Sequence, residues 1–213
     1  GVHDALREMG LELLPLSALT PGFVVFQIAA LAAMVIHYSR TLSERTETDH
    51  QLRRLADKAT RDPLSGLFNR AFLENHLDTL GSDARGGLLF IDLDHFKAVN
   101  DRFGHTRGDA LLRAVAQRID DTMRDGDIAC RWGGDEFVVY LADANPDAAD
   151  SIARRLLGTF DRITPEDGDT PRIGASMGFA ELTDGDWRRT LRRADQALYQ
   201  AKDQGRGGVA IAS

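Results

Sequence analysis

Residues 128–131 and 136–141 are two short apolar runs on either side of Gly133-Gly134, and no other feature of this 213-residue chain constrains its fold as tightly. Paired glycines let the backbone enter the left-handed region that a tight connection needs, and strands joined so directly run antiparallel. Around this hairpin the pattern alternates. Residues 70–80 read as a helix and 87–92 as a short buried strand. Over 109–123, Leu111, Leu112, Val115, Ala116 and Ile119 fall on one helical face. Residues 146–160 and 186–204 read as helices, and 172–179 and 208–212 as strands. A hairpin set among alternating helices predicts an α+β fold, with a central, mainly antiparallel sheet flanked by helices.

The first sixty residues are a different kind of chain. No Asp, Glu, Lys or Arg occurs from 13 to 39, and residues 16–36 are long enough as a helix to span a bilayer. Arg40, Arg45, Arg53, Arg54, Lys58 and Arg61 follow this run, whereas only Arg7 precedes it, which would place everything after Arg40 in the cytoplasm. Residues 1–36 are therefore expected to form a transmembrane or hydrophobic helix, the other reading being a buried or dimer-forming soluble helix. Residues 37–60 are charged and free of Gly and Pro, which favours a helical linker with a weak heptad seam. Asp62-Pro63 ends that helix, because a residue before proline avoids helical geometry. The globular part is expected over 61–213.

Charge narrows the possible partners. With 26 Lys and Arg against 33 Asp and Glu, the net charge is −7. General nucleic-acid binding is excluded, and any anionic ligand must be held by local cations or a metal. The single cysteine, Cys130, excludes an internal disulfide and any multi-cysteine metal site.

Two acidic loops carry the chemistry. The first, Asp92-Leu93-Asp94, ends a buried strand and is followed by Lys97. Carboxylates delivered to a sheet end in this way suit a divalent cation held beside phosphates. The second is Gly133-Gly134-Asp135-Glu136, a turn that carries two carboxylates in a row. Together they describe a carboxylate metal site with a neighbouring lysine.

These residues also carry a family resemblance. Gly133-Gly134-Asp135-Glu136-Phe137 resembles the signature of the GGDEF domains, the diguanylate cyclases of bacterial signalling. Three further blocks stand in the order and spacing of that family: 62–70 (DPLSGLFNR), 100–109 (NDRFGHTRGD) and 193–206 (RADQALYQAKDQGR). The resemblance covers about residues 61 to 211. It implies the palm-like fold of nucleotidyl cyclases and condensation of two GTP into cyclic di-GMP by a homodimer formed through the catalytic domain and the linker helix. It further implies that Asp92, the Leu93 carbonyl and Asp135 hold Mg²⁺ or Mn²⁺, with Asp135, Glu136 and Lys97 catalytic. Phe96 and His95 would offer backbone N–H groups to phosphates, Lys97, Lys202 and Arg206 would neutralise them, and Asn100 and Asp109 would read guanine. His105 is a further possible substrate contact.

Arg124 and Asp127 form an Arg-x-x-Asp nine residues before Gly133. The resemblance makes this an inhibitory site for cyclic di-GMP, with Arg155 as an added contact. The N-terminal run is similar to the last helix of a seven-helix sensor, which implies a bacterial inner-membrane location with the catalytic domain in the cytoplasm, or a cytoplasmic one if that helix is soluble. The competing functional reading is a catalytically silent module that binds GTP or cyclic di-GMP.

Overall fold

The computed structural model describes residues 25–26, 28–39, 60–160, 163 and 173–212. The chain divides into two compact units, one ending at Leu55 and the other beginning at Ala56. In the first, residues 25–26 and 28–39 are helical, and Phe26, Ile28, Leu31, Val35 and Tyr38 all lie exposed. Among the described residues no helix is long and apolar enough to cross a membrane. Residues 40–59 of the expected 37–60 linker, and part of the uncharged run, lie outside the described residues.

The second unit begins with β1 (Phe68–Asn69), α1 (Arg70–Asp78), β2 (Gly86–Leu93), α2 (Phe96–Phe103) and α3 (His105–Thr122). The hairpin β3 (Ile128–Gly133) and β4 (Glu136–Ala142) comes next. It is followed by α4 (Pro146–Phe160), β5 (Ala175–Glu181), α5 (Trp187–Asp203) and β6 (Val209–Ile211). The strands form one sheet in the order β1-β3-β4-β2-β5-β6. The four inner strands pair antiparallel, whereas the outer ones, β1 on β3 and β6 on β5, pair parallel. The α+β expectation holds.

Strand periodicity decides which helices cover which face, because successive side chains on a strand point to opposite sides. Along β2, Leu89, Ile91 and Leu93 enter one apolar core with Val99, Leu112, Ile119 and Leu156 from α2, α3 and α4. Leu88 and Phe90 enter the other, with Leu73 and Leu77 of α1 and Trp187 and Leu198 of α5. In β4, Phe137 and Val139 join the first core, and Val138 and Tyr140 the second. Helix α5 lies close against β5 at Gly178, where an added Cβ would stand 2.1 Å from both the Ala194 carbonyl and the Leu198 nitrogen.

Several boundaries differ from the sequence expectations. Residues 100–109 are helical apart from one residue: α2 ends at Phe103, Gly104 alone separates the helices, and α3 starts at His105 rather than near 109. Asp109 therefore lies inside a helix. In the hairpin, β3 continues through Gly133, which pairs with Glu136, and the register shifts between Arg131 and Gly133. The tip is thus Gly134-Asp135, with Trp132 the extra residue of a bulge. Strand β1 and helix α2 were not expected at all.

Candidate functional site

Three carboxylates gather where β2 ends and β4 begins. Asp92 lies opposite Glu136 in the antiparallel register. The Leu93 N–H donates to the Asp135 carbonyl at 3.3 Å, which fixes the tip beside the end of β2. Asp92 and Glu136 share the parity of Leu88, Phe90, Val138 and Tyr140, so both belong to the sheet face that α5 covers. For this reason it is Lys202, on the last turn of α5, that reaches them: its Nζ lies 2.8 Å from Asp92 Oδ2. Lys97 stands exposed on the first turn of α2, and among the described contacts it does not touch this group.

The site is electrostatically strained. Burial pushes the Asp92 carboxyl above its ordinary range although Lys202 opposes the shift. Burial also raises Glu136, and the charges of Asp92 and Asp135 add to the effect. Half-buried carboxylates that repel one another are the donor set a divalent cation satisfies. Among the described residues no three His, Cys, Asp or Glu side chains form a ready-made metal cluster. Magnesium seldom needs one, since it is commonly held by one or two carboxylates with substrate phosphates and water completing its shell. The residues present fit that ion.

A second group lies between α2 and α3. Gly108 is buried, and a Cβ on it would meet Asn100 Oδ1 at 1.9 Å and the Phe96 ring at 3.1 Å. This close approach brings Asn100 and Phe96 against Gly108, the residue before Asp109. Asn100 Oδ1 is buried and has no hydrogen-bond partner. An orphaned buried acceptor costs free energy that a ligand donor would recover. His105, at the start of α3, is exposed.

A third group surrounds a cavity of about 460 Å³ between α2, the Ile173–Gly174 approach to β5 and the turn 205–207. His95 and Arg206 line it together. Both are non-glycine residues in the left-handed region, at φ 59° and 64°.

The Arg124–Asp127 group is set apart from these three. Asp127 is nearly fully buried: it accepts from the Ala142 N–H at 3.0 Å and the Arg124 N–H at 3.2 Å. The Arg124 guanidinium donates to the Ala142 carbonyl and lies 3.6 Å from Asp127. Arg155 donates to the Thr122 carbonyl at 3.0 Å, so the structure gathers all three residues at the end of α3.

Sequence reasoning missed two residues that hold the tip. Arg131 donates to the Gly134 carbonyl at 2.7 and 3.1 Å and to Asp62 Oδ1 at 3.1 Å. Burial alone would raise the Asp62 carboxyl, but hydrogen bonds from Ser65 and Arg131 together hold it below its ordinary value. The tip is thereby tied to the point where the chain enters the unit. Cys130, beneath it, is inert, because burial pushes its thiol up to about 12.

Comparison with known proteins gives concordant findings. The family described as "Diguanylate cyclase, GGDEF domain" matches residues 59–208. The probable diguanylate cyclase DgcE of Escherichia coli is 39% identical over 178 residues, covering 80% of this chain and 16% of that protein. The diguanylate cyclase VdcA of Vibrio cholerae is 36% identical over 172 residues, covering 78% of this chain and 51% of that protein. The chain thus spans about half or less of these relatives. The coiled coil and GGDEF domain of DgcB from Caulobacter crescentus, solved with c-di-GMP, superposes with a TM-score of 0.76 at 27% identity, covering 84% of this chain and all of that one.

Proposed function

The chain belongs to the GGDEF domain family of diguanylate cyclases, and on that premise we propose that it condenses two molecules of GTP into cyclic di-GMP and releases two pyrophosphates. The observation that carries this reading is the strained carboxylate group: Asp92 opposite Glu136, Asp135 at the adjoining tip, and Lys202 2.8 Å from Asp92. Asp92, the Leu93 carbonyl and Asp135 would hold a magnesium or manganese ion, which when bound supplies charge neutralisation for the triphosphate. Asp135, at the tip, is the carboxylate that would accept the proton of the ribose 3′-hydroxyl, with Glu136, raised by burial, beside it.

Lys97, Lys202 and Arg206 neutralise the β and γ phosphates, and the backbone at His95 and Phe96 donates to them. Asn100, through its orphaned acceptor, and Asp109 read the guanine edge, where N1–H and the exocyclic amine are donors that adenine does not present in the same pattern. His105, exposed at the start of α3, is a further contact for the nucleotide in this reading. One unit holds one GTP, so two copies face each other and each 3′-hydroxyl attacks the opposite α-phosphorus in line with its leaving pyrophosphate. Arg124, Asp127 and Arg155 bind cyclic di-GMP and restrain the enzyme. Residues 1–36 attach the protein to the bacterial inner membrane, and residues 37–60 link that segment to a catalytic unit, 61–213, in the cytoplasm.

The test is incubation with GTP and Mg²⁺, with ATP and an Asp135→Ala variant in parallel, and mass spectrometry of the nucleotides. Cyclic di-GMP from GTP alone, lost in the variant, is the expected result. A dimeric, GTP-bound sample that makes no product would establish a binding module instead.

A further inference from the structure

Asp94 is a buried carboxylate that neither the carboxylate group nor the guanine pocket uses. It is 7% exposed, and it lies on the wall of the cavity that His95 and Arg206 also line. A charge in such a position is tolerated only when its oxygens are satisfied. Here both are: the Ser176 hydroxyl donates to Oδ1 at 2.8 Å, and the Gly207 N–H donates to Oδ2 at 3.0 Å. Its own N–H donates to the Gly174 carbonyl at 2.9 Å. Ser176 is fully buried on β5, so the carboxylate is fixed on one side by the sheet and holds the turn after α5 on the other.

That turn needs holding. Gly205, Arg206 and Gly207 are consecutive residues at φ 118°, 64° and 65°. For arginine the left-handed region is costly unless the surroundings impose it. Two N–H groups tie the turn back to α5, Gly205 to the Lys202 carbonyl at 3.3 Å and Arg206 to the Ala201 carbonyl at 3.2 Å. Asp94 supplies the tie to the rest of the molecule at the residue directly after Arg206.

We infer that Asp94 is the positioning residue for Arg206: its bond to the Gly207 N–H sets the left-handed turn that presents the guanidinium to the triphosphate. This rests on the reading of Arg206 as a phosphate ligand. Asp94 itself touches no substrate. Its negative charge stands in a phosphate-facing wall because it is spent on two donors, and a guanidinium fixed in advance loses less freedom on binding.

The test measures equilibrium binding of the full chain to a non-hydrolysable α,β-methylene analogue of GTP, and to GMP, which lacks the β and γ phosphates. Asp94→Ala is expected to weaken the triphosphate about tenfold, the scale of one charge-assisted hydrogen bond, while GMP affinity stays within about twofold. Asp94→Asn keeps an acceptor for Gly207 and offers a donor to Ser176, so it should recover most of the loss. Combined with Arg206→Ala, removal of Asp94 should add almost nothing, since both changes disable one interaction. Should alanine at 94 prevent folding, Ser176→Ala, which removes one anchor, serves in the same comparison.

Equal losses for GMP and triphosphate, full additivity with Arg206→Ala, or asparagine as damaging as alanine would each overturn the inference alone. A wild-type chain that binds the triphosphate no more tightly than GMP would overturn the nucleotide-site reading and this inference with it.

Discussion

Glu136 shows how a single side chain can carry a stability cost for the sake of a site. Its carboxyl is raised by burial and then by Asp92 and Asp135. The folded chain therefore holds that proton more tightly than the unfolded chain, and stability falls as pH rises through the carboxylate range toward neutrality. Glu136→Gln should raise the midpoint of thermal unfolding at pH 7.5 by no more than about 2 °C, because solvent screening at this partly exposed group keeps the gain below about 1 kcal/mol. The gain should shrink as the pH is lowered through the ordinary glutamate range and be lost below it, where Glu136 is protonated in the folded and unfolded chain alike, and calorimetry across that range checks it. Asp109→Ser should erode the preference for GTP over ATP by about tenfold or more, because in the proposed site a carboxylate bonded to the guanine donors is what would reject the other base; competition assays read the ratio.

Some of this was legible residue by residue. The carboxylates and the arginines were, because they lie in short contiguous motifs. Asp92's partner was not: the resemblance assigned Lys202 to phosphate, and only the strand parity that puts Asp92 under α5 explains the contact. Asp62 and Arg131, 69 residues apart, had no local signal of their pairing.

At the scale of elements, the hairpin is held by more than its own ladder. Arg131 and Asp62 are 16% and 20% exposed at their side chains, between the regimes of surface and buried pairs. Arg131→Ala should cost about 1–3 kcal/mol in urea unfolding, since it breaks the pair and also strips the Gly134 carbonyl of its donor. The pair's contribution, present at neutral pH, should fade only below the ordinary aspartate range, because Asp62 is held low. Gly178→Ala should destabilise by more than about 3 kcal/mol, since a methyl group would have to push α5 off β5 against backbone atoms; the same unfolding curves measure it.

The long apolar strands and the helices α3, α4 and α5 were readable from periodicity. Helix α2 was not, because its N-cap is His95 in a left-handed conformation with no side-chain cap bond, so the usual start signal is missing. Strand β1 is two residues long and pairs parallel with a strand far along the chain, a contact that no local pattern encodes.

For the molecule as a whole, the proposed reaction is bimolecular in catalytic units. Specific activity should rise with protein concentration across the dimerisation range, whereas GTP binding per chain should not change; activity assays paired with sedimentation at the same concentrations check both.

The order of the sheet has a consequence for how two copies can meet. Its outermost strands are two and three residues long. Edges that short expose few unpaired backbone groups and give an incoming strand almost nothing to zip onto. Copies of this unit are thus steered away from joining sheet to sheet, an association that is hard to reverse. Encounter is left to helices and loops, those around the proposed nucleotide site among them, whose contacts can form and part with each turnover.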